Sequence, residues 1–574
     1  MSLTKVSYSM VAGAPINVLD YGADATGATD SSAAIQAAFN AGSNIYFPNG
    51  TYLINTAITK TANNVTVDFG NATIVNGGAA WTFVFGTAGD TASYTGLSVT
   101  GGKFTQSNPA TTSNLNYIKV AGTSQFSIKN CRMSNVSNGG IYVHTGCSYG
   151  LIDGVQIIGS TAYSTIRAIW LVADTATGFS QQYVDTNSIT RNATPVPSSS
   201  LLNISVTNCQ IYTVSLGIYC ENAANLIISD NYIDIGTSGG RCIALNPYAP
   251  NAIVSGNTLT AQASGTGILV TQISTDTIIS NNTFKGNFGG GRDIYVAYLS
   301  TAVISDNTFN TLSTSNIQID MGGFAVVQNN SFVRPSIAGR AVYITTVDSA
   351  AAGGTIGSTA TVLANSGVIF KGNTLNTVGI GVLADMSIAP SNANLSAVSI
   401  VQVTDNTMLN WNRGGGDFPC IVTTGTTANN VNVRFERNVV LPYTIAHENR
   451  VLFTGGTAYI YQASQTYNAL FNLVTPALTA TKLAGANFSL TASTLGSDLV
   501  LASLTQLGSA GAAVAPPMGF VDNGGTTQIY RFACRLYSGT QYLLSAFDST
   551  GAQINLSSAS TSFNVLLGPV SNAT

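Results

Sequence analysis

A short phrase, apolar-x-[Asp/Asn/Gly]-Asn-x-apolar, returns about every 25 residues through the middle of the chain. It is plainest at residues 228–233, 254–259, 279–284, 304–309 and 327–332. Its Asn positions are read as Asn130, Asn208, Asn231, Asn257, Asn282, Asn307, Asn330, Asn373, Asn406 and Asn438, with Gly154 taking the place within 152–157. After each phrase comes a second short run in which apolar residues alternate with others. These runs are 140–144, 168–172, 217–221, 242–246, 267–271, 293–297, 316–320, 341–345 and 381–385. Short β-branched runs broken by Asn, Gly and Ser predict strands and turns. A fixed period of this size signals a solenoid. One repeat is too short to bury its own apolar face, so stacked coils must bury it against one another. The pattern therefore predicts an all-β chain, a parallel β-helix. The repeated Asn is expected at a turn, its side chains stacked and satisfying one another from coil to coil.

At the N-terminal end, Asp30 is placed to N-cap a short helix from Ser31 to Asn40, and strand resumes at 45–54. Such a helix would plug the open apolar end of the solenoid. The Asn phrase fades after Asn438, and alternating stretches such as 527–533 predict an antiparallel β domain. The expected organisation is a lead-in over 1–15, a first coil with its capping helix over 16–60, a parallel β-helix with a substrate groove over 61–445, and a C-terminal β domain over 446–574.

Composition narrows the function. There are 58 Gly and only 8% charged residues, and the net charge of −3 argues against a nucleic-acid partner. No apolar run has the length of a spanning helix, so membrane insertion is not expected. The N-terminus lacks the basic, apolar, small-residue order of a secretion signal. Seven scattered Cys, several at strand positions, read as buried thiols rather than a disulfide framework. His144 and His447 are the only histidines, so no zinc-type cluster is expected; calcium at loop carboxylates stays open although no dense Asp/Asn loop motif stands out, and no cofactor is expected.

The segment from Asn17 to Ile54 resembles the opening of the pectate-lyase-like right-handed β-helix superfamily, and residues 2–10 resemble the stretch that precedes the β-helix in bacteriophage tailspikes. With the Asn repeats, the resemblance covers roughly residues 1–445. It implies a right-handed β-helix and a homotrimeric virion protein of the phage tail, in contact with tail or baseplate proteins. Such a protein would act at the bacterial surface, binding and usually cleaving a polysaccharide. It also implies that the C-terminal domain serves trimerisation or sugar binding. The longer tailspikes carry a separate head-binding domain, and no counterpart is read here.

Alternation in the second run points to the face that carries chemistry. Its inward residues leave two outward columns. One runs Tyr142, Trp170, Tyr219, Ala244, Leu269, Tyr295, Gln318, Tyr343, Leu383; the other runs His144, Val172, Glu221, Asn246, Thr271, Ala297, Asp320, Thr345, Asp385. Aromatic faces cover the C–H faces of pyranose rings, while acids and amides bond hydroxyls. The same aromatics would also suit a subunit interface. Three long excursions, following Ile169, Val342 and Val382, leave the solenoid beside these columns and are expected to wall a groove.

Two carboxylate pairs are candidates for catalysis. Glu221 and Asp174 are expected about 5–9 Å apart, within the range of glycosidase pairs. Trp170, Tyr142, Tyr248 and His144 would build subsites around them. Asp320 and Asp385, two coils apart, are expected at about 10 Å, with Gln318 and Tyr343 flanking. Tyr219, Tyr295 and Asn246 complete the expected binding surface. The reading is hydrolysis of a bacterial surface polysaccharide, O-antigen or capsule, with Glu221 as acid and Asp174 as base. A lyase of the same fold is the nearest alternative, since Arg167, Arg241, Arg292 and Arg340 lie near strand starts. A receptor protein that binds glycan without cleaving it is the other.

Overall fold

The structure is a computed structural model. It describes residues 14–173 and 201–345 apart from short segments, then strands and adjoining turns from 366 to 442, and beyond that chiefly strands between 451 and 566. It divides into two units, one running to Thr314 and the other beginning at Ser315.

In the first unit the chain winds through three parallel sheets in turn, one strand of each per coil. The first sheet runs in chain order from Ile16–Asn17 to Thr301–Ser305, the second from Thr26–Asp30 to Thr308–Thr311, and the third from Ile58–Lys60 to Arg292–Val296. The second unit repeats the arrangement. Its three series start at Phe324–Gln328, Ser331–Val333 and Ser315–Ile319, and end at Val431–Glu436, Val439–Pro442 and Val451–Thr454. The fold is the parallel β-helix that the repeat predicts. The strands from Leu470–Val474 to Ser562–Leu566 pair antiparallel, as the alternation at 527–533 suggests. Among the described residues no helix is long and apolar enough to cross a membrane.

The helix covers Ser32–Ala41, with Ser31 as the capping residue. Ser31 makes no side-chain cap, and Asp30 one residue earlier accepts from the Ser32 amide at 3.0 Å. The expected capper therefore does the work from one position further out. Ile35, Ala38 and Phe39 are buried, and the Phe39 ring lies 5.9 Å from Phe83. Phe47, Phe69 and Phe104 extend this cluster from coil to coil. Apolar rings at the solenoid's end are thus covered by the helix rather than by water, as a cap requires.

The Asn phrase contains two positions with separate jobs. Asn231 Nδ2 donates to Asn257 Oδ1 at 2.9 Å, Asn257 to Asn282 at 2.9 Å, and Asn282 to Asn307 at 3.0 Å. Each Oδ1 also accepts the backbone N–H of the preceding Asn. The second unit has the same ladder through Asn330, Asn373, Asn406 and Asn438. All of these side chains are buried. The residue just before each takes the left-handed conformation: Asp230, Gly256, Asn281 and Asp306 in the first unit. Asn130, Gly154 and Asn208 belong to this left-handed position and not to the ladder. Register settles the point. Thr207 pairs with Ser229, so Asn208 lies beside Asp230 and Cys209 beside Asn231. Asn, Asp and Gly tolerate that backbone best, which is why sequence similarity merged the two positions. Six of the seven Cys lie among the described side chains, and all six are free and buried.

Candidate functional site

The outward columns are in register as expected. In the first unit Tyr142 pairs with Trp170, Trp170 with Tyr219, Tyr219 with Ala244, Ala244 with Leu269, and Leu269 with Tyr295. His144 pairs with Val172 and Val172 with Glu221. In the second unit Gln318 pairs with Tyr343 and Tyr343 with Leu383, while Thr345 pairs with Asp385.

Register alone does not make a surface. Three rings form a ladder at the N-terminal side of the face: Trp81 stacks on Tyr142 at 5.4 Å, and Tyr142 lies 4.7 Å from Trp170. His144 meets Tyr142 edge-on at 5.0 Å and is only 9% exposed. Further along, Tyr295 is 7% exposed and packs with Ala244, Leu269 and Ala297, and half-buried Tyr219 rests against this cluster. Tyr295 is therefore largely covered, with Ala244, Leu269 and Ala297 beside it and the Arg292 guanidinium 4.4 Å from its ring centroid. Trp81 is a member of this ladder that sequence reasoning missed. It lies outside the run that defined the columns, in a coil without the Asn phrase.

Glu221 ends the strand Leu216–Glu221, half-buried. The Tyr219 hydroxyl donates to its Oε2 at 3.3 Å. Burial raises the Glu221 pKa, and the Tyr219 hydrogen bond and the Arg167 charge offset only part of that rise. Burial first, and the Glu221 charge second, push the Tyr219 phenol up to about 12. Glu221's column neighbours are Val172 and Asn246, so no second acid adjoins it in the column. Asp174, its expected partner, lies outside the described residues, as does most of each long excursion.

Polar groups without a hydrogen-bond partner gather on the same coils. Among the described residues these include Arg167 Nε, Trp170 Nε1 and Asn246 Oδ1, all buried atoms. Buried polar groups are nearly always paired, so such a cluster asks for an explanation. Tyr248 is half-buried, its carbonyl accepting from the Ala223 amide at 3.2 Å. Its φ of 50° is left-handed, a strained choice for a bulky side chain.

The second pair is placed differently. Asp320 is fully buried, and its Oδ2 accepts from Gln318 Nε2 at 2.8 Å. A covered carboxylate does not meet a sugar in this arrangement. Asp385 lies on the strand Ile380–Met386, but its side chain is outside the described set. Tyr343 is half-buried with the Arg340 guanidinium 4.5 Å from its ring centroid. Among the described residues no group of three or more His, Cys, Asp or Glu could hold a metal ion.

The family described as right handed beta helix region matches residues 116–292 and again 203–375. Residues 15–79 match the family described as rhamnogalacturonase A/epimerase, pectate lyase-like. The fold is a right-handed parallel β-helix, and its opening coils are similar to a model described as pectate lyase-like. No curated protein matches it in sequence. A tailspike protein mutant of E. coli bacteriophage HK620, in complex with pentasaccharide, is 12% identical with a TM-score of 0.46, covering 97% of this chain and 94% of that one. The catalytic unit of a GH87 α-1,3-glucanase from Streptomyces thermodiastaticus is 14% identical with a TM-score of 0.43, covering 76% and 70%. The surface adhesin PfbA of Streptococcus pneumoniae is 13% identical with a TM-score of 0.41, covering 75% and 93%.

Proposed function

We propose that the chain is a tailspike-type polysaccharide depolymerase that binds a bacterial surface glycan, O-antigen or capsule, along the third sheet and hydrolyses it. One observation carries the reading. The ring ladder Trp81–Tyr142–Trp170 lies on the coils that lead to a half-buried carboxyl, Glu221, and on the coils either side of Glu221 the Arg167 Nε, Trp170 Nε1 and Asn246 Oδ1 atoms have no hydrogen-bond partner among the described residues. Rings of this kind take the apolar faces of pyranoses. Glu221 is the general acid: its raised pKa keeps a proton available for the leaving oxygen. Asp174 remains the proposed base.

The test is digestion of purified surface polysaccharides from candidate hosts, read by mass spectrometry. Hydrated oligosaccharides, absent with Glu221→Gln, support the hydrolase. Products lighter by one water would replace it with a lyase. Tight binding without fragments would leave a receptor protein.

Self-association as a homotrimer belongs to the same reading, with attachment to tail or baseplate proteins in the virion and the antiparallel C-terminal sheet contributing to assembly. The first sheet offers the face. Ile227, Ile253, Ile278 and Val303 stand in register on successive coils, each 38–42% exposed. A continuous β-branched stripe in water marks an interaction surface. Ile253→Asp is expected to shift the protein from trimer to monomer in sedimentation velocity while far-UV circular dichroism stays unchanged. A trimer that survives this change would move the interface elsewhere.

A further inference from the structure

Charge is scarce in this chain, with 21 Lys and Arg among 574 residues. On the third sheet it is nevertheless arranged with a period. A third outward column stands at the strand starts, where Arg167 pairs with Leu216, Leu216 with Arg241, Arg241 with Thr266, and Thr266 with Arg292. Arginine therefore appears on every second coil. Lys119 continues the series in the aromatic column, because it pairs with Tyr142, and Tyr142 with Trp170 on the Arg167 strand. Lys119 thus stands two coils before Arg167 but three residues further along its strand, and the three arginines follow one another at twice the strand spacing, about 10 Å. That is roughly the length of two pyranose rings in an extended chain.

The side chains are held for contact outward. The Arg167 guanidinium lies 4.1 Å from the Trp170 ring centroid, and that of Arg292 lies 4.4 Å from Tyr295. Lys119 Nζ is 5.6 Å from the Tyr142 ring. A guanidinium stacked on a ring is fixed in orientation, and its in-plane N–H groups still point away from the ring. Arg167 Nε has no hydrogen-bond partner among the described residues. The acid on this face is Glu221, so in the first unit the described columns carry more positive than negative charge.

We propose that the glycan is anionic, a carboxylate-bearing polysaccharide running across the coils. Its acidic sugars would meet Lys119, Arg167, Arg241 and Arg292 while intervening rings rest on Trp81, Tyr142 and Trp170. Arg and carboxylate match in a two-bond fork, which selects such a sugar over its neutral counterpart. The inference rests on the glycan-binding reading of this face, and it adds the substrate class.

The probe is a panel of purified capsular polysaccharides, each used as isolated and after its carboxyls are reduced to alcohols. Binding is measured by biolayer interferometry with the Glu221→Gln protein, so that no cleavage interferes. An acidic polymer is expected to bind and its reduced form to lose roughly tenfold or more in affinity. Arg241→Gln should weaken the acidic polymer by about tenfold and flatten the salt dependence, with Arg241→Lys recovering part of both. Melting curves for both variants confirm folding. A neutral polymer bound tightly, or an acidic one indifferent to carboxyl reduction and to Arg241→Gln, overturns the anionic proposal and leaves the hydrolase standing. Phosphate-bearing polymers that bind while carboxylated ones do not would overturn the choice of carboxylate. If neither acidic nor neutral polymers bind, both readings fail together.

Discussion

Glu221→Gln is expected to lower turnover of the polysaccharide by about 10²–10⁴-fold while leaving its affinity within a few-fold, since a general acid contributes on that scale and the amide keeps the shape. The wild-type pH profile should carry an alkaline limb set by Glu221. Burial raises this pKa, so the proton needed at the leaving oxygen persists above the ordinary carboxyl range, and activity falls as pH rises through the raised value. Arg167 opposes the rise, so Arg167→Gln should move the limb to higher pH. Stability has the matching sign. The folded protein holds this proton more tightly than the unfolded chain, so the group's contribution is full below the unfolded value and is lost as pH climbs to the folded one. Glu221→Gln should therefore be slightly more stable than wild type at neutral pH. Steady-state rates across pH, with melting at two pH values, check all of this. Unchanged turnover in the Gln variant would remove Glu221 from the chemistry.

The second large effect is structural. Asn282→Ala is expected to cost roughly 3–5 kcal/mol, the scale of a broken buried hydrogen-bond network. Asn282 donates to Asn307 Oδ1 and to the Val254 carbonyl, and accepts from both the amide and the side chain of Asn257. Truncation leaves these groups buried without partners, and no water replaces them in a packed interior. Thr283→Ala, a half-buried site on the outer side of the second sheet, should stay within about 0.5 kcal/mol. Urea denaturation followed by far-UV circular dichroism compares the two. Equal midpoints would mean that the ladder orders the turn without stabilising it. Because a solenoid can unfold in stages, the comparison belongs on the transition that includes these coils.

The coiling and the pairing order of the outward columns on the third sheet were legible in the sequence, because a repeated strand leaves period-two alternation at a constant offset from its turn. Tyr142, Trp170 and Tyr219 stand as neighbours for that reason alone. The ladder was legible too, but its frame in the early coils was not. Asn fits both the ladder and the left-handed residue before it, so Asn130 and Asn208 looked like rungs.

What only the tertiary structure decided is which outward residues remain open. Alternation says that a side chain leaves the core, not what then lies on top of it. Tyr295 and Asp320 are outward by register, yet both are covered, one by small apolar neighbours and one with the Gln318 amide bonded to it. Trp81 joined the ring ladder through its stacking on Tyr142 from two coils away. In the sequence, Arg167, Arg241 and Arg292 were legible only as residues near strand starts, where they kept a lyase as an alternative. Folding set them in one column, with Arg167 and Arg292 against aromatic rings of their own strands. Sequence periodicity dictates direction and register because backbone geometry is local. Exposure, stacking and charge spacing depend on residues brought together from separate coils, and those relations exist only once the chain has folded.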